Sequence, residues 1–236
     1  MSWLYAILGW IYRYRGQARE RYRGQREYPN YVLHCTAKGL VTFLRALIVH
    51  AHPSPESFSA SLAQEAAVTL NRQGHDVVLS DLYAENFDPV LPLATFRRYL
   101  DPAGNRDGVE SRAQQLKAAE ALIFVFPVWH DGPPAILKGY FDRVFVRGVV
   151  FEIVDGVFYP ALQNVRRLGA VVLYGADRER TRKVGDLPRR FFRHNLGALV
   201  APDARRDYIA GYGMDRAGPG ERTGLIDKVR RAFRKW

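Results

Sequence analysis

Cysteine is almost absent from this sequence, because Cys35 is the single cysteine among 236 residues. One thiol cannot form an internal disulfide, so a small fold held together by disulfides is excluded. The same scarcity suits a reducing compartment, and we expect a cytoplasmic location. Cys35 also lies outside the segment that carries recognisable motifs, so we assign it no chemical role.

The N-terminal stretch lacks an apolar run long enough for a membrane span. Its apolar start extends only from Met1 to Tyr12, whereas a transmembrane helix needs roughly 20 apolar residues. A secretory signal peptide places its positive charge before the apolar stretch, but here the arginines follow it. The sequence therefore predicts neither element at this end of the chain.

Positive charge is concentrated near the N-terminus. Residues 1–45 hold eight Lys or Arg and two Glu, which is more than half of the net charge of +11. For the basic extension 1–44 three interpretations stay open: a segment that makes peripheral contact with a membrane, an organelle-type presequence, or a disordered or misassigned extension. The remaining residues are only mildly basic and hold no nucleic-acid-binding module, so we expect no nucleic-acid partner.

From residue 45 onward, short continuous apolar runs alternate with amphipathic stretches. Strands buried on both faces are predicted for "FLRALIV", "ALIFVFP" and "RLGAVVLYG", and a helix is predicted where apolar residues recur at helical spacing over 137–145. Residues 45–236 are therefore predicted to form one doubly wound α/β domain, with helices on both faces of a five-stranded parallel sheet. Ligands of such sheets bind at the carboxyl ends of the strands.

The loop "HAHPSPESF" follows the first predicted strand. Ser57 suits the N-cap of the next helix, and the amides of Phe58 and Ser59, with His52 nearby, suit a phosphate. A structural role for Ser57 and His52 is an equally good interpretation. His50 and His52 stand two residues apart with no further metal-ligand pattern, so no metal site is expected.

The loop "VWHDGP" follows the strongest predicted strand and is rich in flat side chains. A flavin ring binds against such side chains, with backbone amides near its polar edge. Trp129 and His130 meet that requirement, although a core tryptophan beside a surface histidine is the simpler interpretation.

Three motifs together resemble the NAD(P)H:quinone oxidoreductase family of flavodoxin-like flavoproteins: "ALIVHAHPSPESFSASL", "DVVLSDLYAENFDPV" and "FPVWHDGPPAILKGYFDRVF". The resemblance implies a flavodoxin-like fold, bound FAD (alternatively FMN), NAD(P)H as hydride donor, a quinone-like acceptor and a homodimer. The flavin-binding residues that it implies are His52, Ser57, Phe58 and Ser59, then Pro127, Val128, Trp129 and His130, and finally Tyr174, Gly175 and Ala176.

The chain departs from the better-known members of that family at two of these loops. His130 and Asp131 stand where those members have aromatic residues, and Tyr174-Gly175-Ala176 replaces a Thr-Gly-Gly turn. We name His130 as the candidate proton donor to a quinone. An alternative function is that of a flavin- or nucleotide-binding regulatory subunit of a membrane transporter.

A basic cluster follows the third loop. It is interpreted either as a binding site for the 2′-phosphate of NADPH or as a solvated face, and we favour the solvated face. Its members are Arg178, Arg180, Arg182, Lys183, Arg189, Arg190 and Arg193.

Overall fold

The computed structural model of the chain describes residues 43–236. Their main sheet has five strands, and all neighbouring strands in it are parallel. In spatial order these strands are β2 (Asp76–Asp81), β1 (Arg45–His50), β3 (Ala121–Pro127), β6 (Arg167–Leu173) and β7 (Arg205–Gly211). Counted within this sheet the order is 2-1-3-4-5, which is that of flavodoxin-like doubly wound folds. The fold predicted from sequence is confirmed.

Helices connect these strands and cover both faces of the sheet. They are α1 (Phe58–Asn71), α2 (Leu93–Arg97), α3 (Glu110–Ala118), α4 (Ala135–Val144), α5 (Arg178–Lys183), α6 (Leu187–Arg190), a π-helical turn (Phe191–Leu196), α7 (Gly197–Leu199) and α8 (Pro219–Phe233). An antiparallel hairpin that the sequence patterns do not predict, β4 (Phe151–Val154) and β5 (Val157–Pro160), lies between α4 and β6. Within residues 43–236, no helix combines the length and apolar character needed to cross a bilayer.

Successive residues of the central strands point into two separate cores. In β3, Leu122 and Phe124 belong to the core that contains the buried residues of α3 and α4. Ile123 and Val125 belong to the core formed with α1 and α8. Because both faces are covered, these strands are apolar at every position, which is why they appear as continuous runs in the sequence.

The irregular sequence of residues 81–108, with three prolines, predicts an excursion over the surface. In the structure the segment 82–109 is anchored in the interior at two points. It contains α2, and it inserts Phe87 into the core and buries Asn105 completely. The Asn105 amide donates hydrogen bonds to the carbonyls of Tyr99 and Arg147. A buried side chain that satisfies two carbonyls from separate segments fixes this long connection against the domain.

Candidate functional site

The three candidate loops follow β1, β3 and β6, which are neighbours in the sheet. Because these strands are parallel, their carboxyl ends lie at one edge and bring the loops together. The rings of His52 and Trp129 are 5.9 Å apart between centroids, so the first loop meets the second. Arg180, just after the third loop, places Nη1 3.0 Å from Oδ1 of Asp131, so the second meets the third.

The first loop ends in a helix start with free amides. Ser57 caps α1, because its Oγ accepts the N–H of Ala60 at 3.1 Å. In the described part of the chain, the N–H groups of Phe58 and Ser59 have no acceptor. The guanidinium carbon of Arg222 lies 5.1 Å from the ring centre of Phe58. Free amides and a nearby cation make this helix start suitable for an anion such as phosphate.

Behind the first loop, a hydrogen-bonded chain runs into the interior. Ser57 Oγ is 3.0 Å from Ser59 Oγ, which is 3.2 Å from His50 Nε2. His50 Nδ1 in turn is 3.0 Å from Oδ2 of Asp81. Burial lowers the pKa of His50, and the hydrogen bond and charge of Asp81 oppose that effect in part. From sequence alone His50 stands out only as a histidine without further metal ligands, but the parallel register of β1 and β2 sets it opposite Asp81.

The second loop is a tight two-residue turn. Trp129 and Gly132 each donate their N–H to the other's carbonyl, at 3.0 Å in both directions. Between them His130 and Asp131 have φ values of +47° and +59°, as a type I′ turn requires. Among residues 43–236, nothing accepts the N–H groups of His130 and Asp131. Trp129 is a large aromatic residue that is nevertheless exposed, with a relative accessible surface of 40%.

The second loop is attached to the third through the backbone. Pro127 is the last residue of β3, and Val128 donates its N–H to the carbonyl of Leu173 at 2.7 Å. In the third loop, Gly175 and Ala176 have N–H groups without an acceptor in the described part of the chain. These two amides are therefore available to a ligand.

Tyr174 faces the interior rather than the edge of the sheet, and its side chain is buried. Its N–H donates to the carbonyl of Gly211 at 2.8 Å, and its hydroxyl donates to Asp186 at 2.6 Å. The same hydroxyl lies 2.5 Å from that of Tyr208. Burial is the main cause that raises the pKa of Tyr174 and of Tyr208, so both phenols stay protonated. Tyr174 thus holds the third loop in place and leaves Gly175 and Ala176 to contact a ligand.

Arg189 completes the support of the third loop. Its Nε donates to Asp186 at 2.9 Å, its Nη2 donates to the hydroxyl of Tyr212 at 3.0 Å, and its guanidinium carbon lies 4.2 Å from the ring centre of Tyr208. Sequence patterns do not reveal that Arg189 and its partners form one group, because these residues belong to separate elements of the fold.

Part of the basic cluster is neutralised by carboxylates. The ion pairs are Arg180 with Asp131, Lys183 with Glu179, and Arg189 with Asp186. These pairs favour the solvated face over a phosphate site for three of the seven members of the cluster. Within residues 43–236, no group of three or more His, Cys, Asp or Glu is placed to hold a metal ion.

The residues of the three loops fit a flavin. The helix start suits its phosphate, the Trp129 ring suits a flat apolar ring, and the free amides suit the ring's polar edge. The free amides belong to Phe58, Ser59, His130, Asp131, Gly175 and Ala176.

Comparison with known proteins supports the flavodoxin-like fold described above. Residues 45–201 match a family model described as a flavodoxin-like fold. The chain is 32% identical over 149 residues to NAD(P)H dehydrogenase (quinone) 1 of Rattus norvegicus, covering 56% of this chain and 54% of that protein. It is 36% identical over 126 residues to ribosyldihydronicotinamide dehydrogenase (quinone) of Mus musculus, covering 46% and 54%. The chain thus spans about half the length of the curated relatives it matches.

Solved structures share the same architecture. A protein of Streptococcus mutans UA159 superposes with a TM-score of 0.69 at 27% identity, over 81% of this chain and 100% of that one. An FMN-dependent NADH-azoreductase of Bacillus anthracis in complex with FMN gives a TM-score of 0.63 at 18% identity, over 81% and 98%. At 18% identity the second likeness shows the fold alone.

Proposed function

The chain belongs to the flavodoxin-like fold family, and from that premise we propose that it binds a flavin, oxidises NAD(P)H and reduces a quinone-like acceptor. The observation that carries the proposal is the meeting of three loops that offer a phosphate site, an exposed tryptophan ring and free amides. The names of the two quinone-reducing relatives point in the same direction.

FMN is the form of the cofactor that we favour. The resemblance alone favours FAD, but the B. anthracis structure of the same fold contains FMN. In this chain the cap Ser57, the free amides of Phe58 and Ser59, and the cation of Arg222 are the groups that would hold the flavin's phosphate. His52, whose ring centroid lies 5.9 Å from that of Trp129, links this phosphate site to the second loop.

The chemistry belongs to the cofactor: a bound flavin takes a hydride from NAD(P)H and supplies two electrons to the acceptor. The protein's own contribution is to bind, orient and tune. Trp129 offers a flat face to such a ring, and the free N–H groups of Gly175 and Ala176 would stabilise negative charge on it. His130, held at the tip of the turn, is the residue we assign as proton donor to the reduced acceptor.

The first test is a visible absorption spectrum of the purified protein, recorded without oxygen before and after addition of NADPH. A flavin spectrum that bleaches supports the proposal. A flavin spectrum that does not bleach contradicts the oxidation of NADPH, and a colourless protein that takes up neither FMN nor FAD contradicts flavin binding altogether. NADH serves as the second hydride donor. Equal efficiency of NADH and NADPH would remove the reason to assign the basic cluster to the 2′-phosphate of NADPH.

A pair of tryptophan variants locates the flavin. Trp129→Leu removes the exposed ring of the second loop and is expected to lower the flavin content. Trp236→Leu removes a tryptophan that packs edge-on against Phe233 at the far end of α8, and it should keep the flavin. Equal flavin content in the two variants would contradict the role of Trp129.

The regulatory-subunit alternative is favoured by no specific observation. The basic extension on which it depends includes Cys35 and lies almost entirely in residues 1–42, outside the described residues. The homodimer and the quinone acceptor are proposals that rest on the resemblance, and the cytoplasmic location is a proposal that rests on the scarcity of cysteine. Analytical ultracentrifugation of the full chain tests the first of them, since a monomer at micromolar concentration would contradict it.

A further inference from the structure

His50 is a buried ionisable group to which the proposed function assigns no task. It is 1% exposed, as is Ser59. Together with Asp81 and Ser57 it forms an unbranched series of hydrogen bonds that begins in the interior and ends at the half-buried hydroxyl of Ser57. Because Ser57 caps α1, this series of hydrogen bonds ends at the helix start to which we assign the flavin's phosphate.

The direction of each hydrogen bond follows from the protonation state of His50. An ionised Asp81 can only accept, so Nδ1 of His50 carries a proton. In the neutral imidazole Nε2 is then an acceptor, and the Ser59 hydroxyl donates to it. The Ser57 hydroxyl donates in turn to Ser59 Oγ, while its oxygen accepts the N–H of Ala60. In this state both serine protons point into the protein.

A proton on Nε2 reverses the series. Nε2–H now donates to Ser59 Oγ, and the Ser59 hydroxyl donates to Ser57 Oγ. That oxygen then accepts twice, from Ser59 and from the N–H of Ala60, which uses both of its lone pairs. The Ser57 proton is released from the interior and becomes a donor at the start of α1.

We propose that His50 is a positioning residue for the anion site: binding of a phosphate at the start of α1 draws one proton from solvent onto His50, and the Ser57 hydroxyl then donates to that phosphate. This inference rests on the proposed flavin site. No bond other than those to hydrogen changes, and the single proton gained by His50 comes from the solvent.

The charges around His50 permit such coupling. Asp81, at the end of β2, stabilises an imidazolium, and His52 is the second titratable group that acts on His50. On the other side β3 places the apolar Val125 opposite it, and the nearest polar group of α1 is the neutral Ser59. Since burial lowers the pKa of His50, the imidazole is neutral near pH 7 without a ligand. A phosphate dianion at the end of the hydrogen-bonded series raises that pKa and causes proton uptake.

The test is isothermal titration calorimetry of the flavin-free full chain with FMN and with riboflavin, which lacks the phosphate. Titrations in two buffers of different ionisation heat give the number of protons taken up. Measurements at pH 7–9 stay above the second pKa of the phosphate, which is about 6. Binding of FMN should be accompanied by uptake of up to one proton, and its affinity should fall by up to about tenfold per pH unit over the range in which His50 of the complex loses that proton. Riboflavin should take up none.

Two variants and a control separate coupling from packing. His50→Gln keeps a polar side chain but no site for the proton, and Ser59→Ala interrupts the series while His50 remains. Both should bind FMN without proton uptake. His75→Gln removes another buried histidine, whose Nδ1 accepts the N–H of Leu44 away from the site, and it should keep the uptake.

The outcomes distinguish this inference from the proposed function. If neither FMN nor riboflavin binds, the flavin site itself is wrong. If FMN binds the wild type without proton uptake, or His50→Gln takes up as many protons as the wild type, only the role of His50 is wrong. Should either variant fail to fold, an NMR titration of the His50 ring in the wild type decides, because FMN but not riboflavin must raise its pKa.

Discussion

The packing of α4 against Pro89 predicts that one substitution has opposite effects at two helical glycines. A Cβ added to Gly139, within α4, would lie 2.3 Å from both Cβ and the carbonyl oxygen of Pro89. A Cβ added to Gly224, within α8, would meet no heavy atom within 4 Å. Neither glycine has a positive φ, so alanine fits the backbone at both positions. The difference between them is therefore the space available.

The expected magnitudes follow from two opposing effects. Alanine in place of glycine within a helix stabilises a protein by about 0.5–1 kcal/mol, because the unfolded chain has fewer conformations to lose. At residue 139 the contact must widen by about 1 Å to reach 3.4 Å, where ordinary contact begins, and the obstacle includes backbone atoms of Pro89. Overpacking of this kind costs about 1–3 kcal/mol. Gly224→Ala should therefore stabilise the domain, and Gly139→Ala should destabilise it by up to about 2.5 kcal/mol.

Urea unfolding followed by tryptophan fluorescence measures both effects as shifts of the midpoint at constant slope. Thermal unfolding should move in the same directions, by about 2–4 °C per kcal/mol for a domain of this size. A Gly139→Ala variant as stable as the wild type would refute the close approach of α4 to the segment 82–109. A destabilised Gly224→Ala would show that this face of α8 is covered in solution.

Three further substitutions probe the interior and the site. Tyr174→Phe removes a donor to the carboxylate of Asp186 and should cost about 1.5–3 kcal/mol in urea unfolding, while a loss near zero would mean that the pair does not support the third loop. The hydrogen bonds from Arg230 lower the pKa of Glu65, so their stabilising effect is present at neutral pH and is lost as the pH falls through that lowered pKa. Glu65→Gln should therefore be less stable than the wild type at pH 7 and equally stable in acid, and a difference that does not change with pH would contradict the ion pair. His130→Ala should slow the reduction of a quinone at unchanged flavin content, and an unchanged rate would exclude His130 as proton donor.

The sequence predicts those parts of the fold that depend on local periodicity. The stripe over 137–145 became α4, and the residues of β3 are apolar throughout because two cores need them. Loop positions are predictable for a related reason, since parallel strands bring their carboxyl ends to one edge of the sheet. Ser57 is readable as a cap because its hydroxyl acts on an amide three residues away.

Contacts between distant segments are the part that periodicity does not reveal. The ring of Tyr174 is inside rather than at the ligand edge because Asp186 and Tyr208, 12 and 34 residues later, supply its hydrogen-bond partners. His50 needs Asp81 from the neighbouring strand, and its role depends on a register that no single segment encodes. The hairpin of β4 and β5 is likewise too short, at four residues per strand, to stand out from its surroundings.

A common design links the three loops: each offers free amides to a ligand while side chains hold its backbone from behind. The first loop is held by the hydrogen-bonded series between Ser57 and Asp81, and the third loop is held by the hydroxyl of Tyr174. In the second, two non-glycine residues adopt positive φ, a conformation that costs energy unless the surroundings impose it. The reciprocal hydrogen bonds of Trp129 and Gly132 and the ion pair of Asp131 with Arg180 impose it here. Amides fixed before a ligand arrives lose little entropy on binding, so all three loops are prepared to bind a ligand without rearrangement of their backbones.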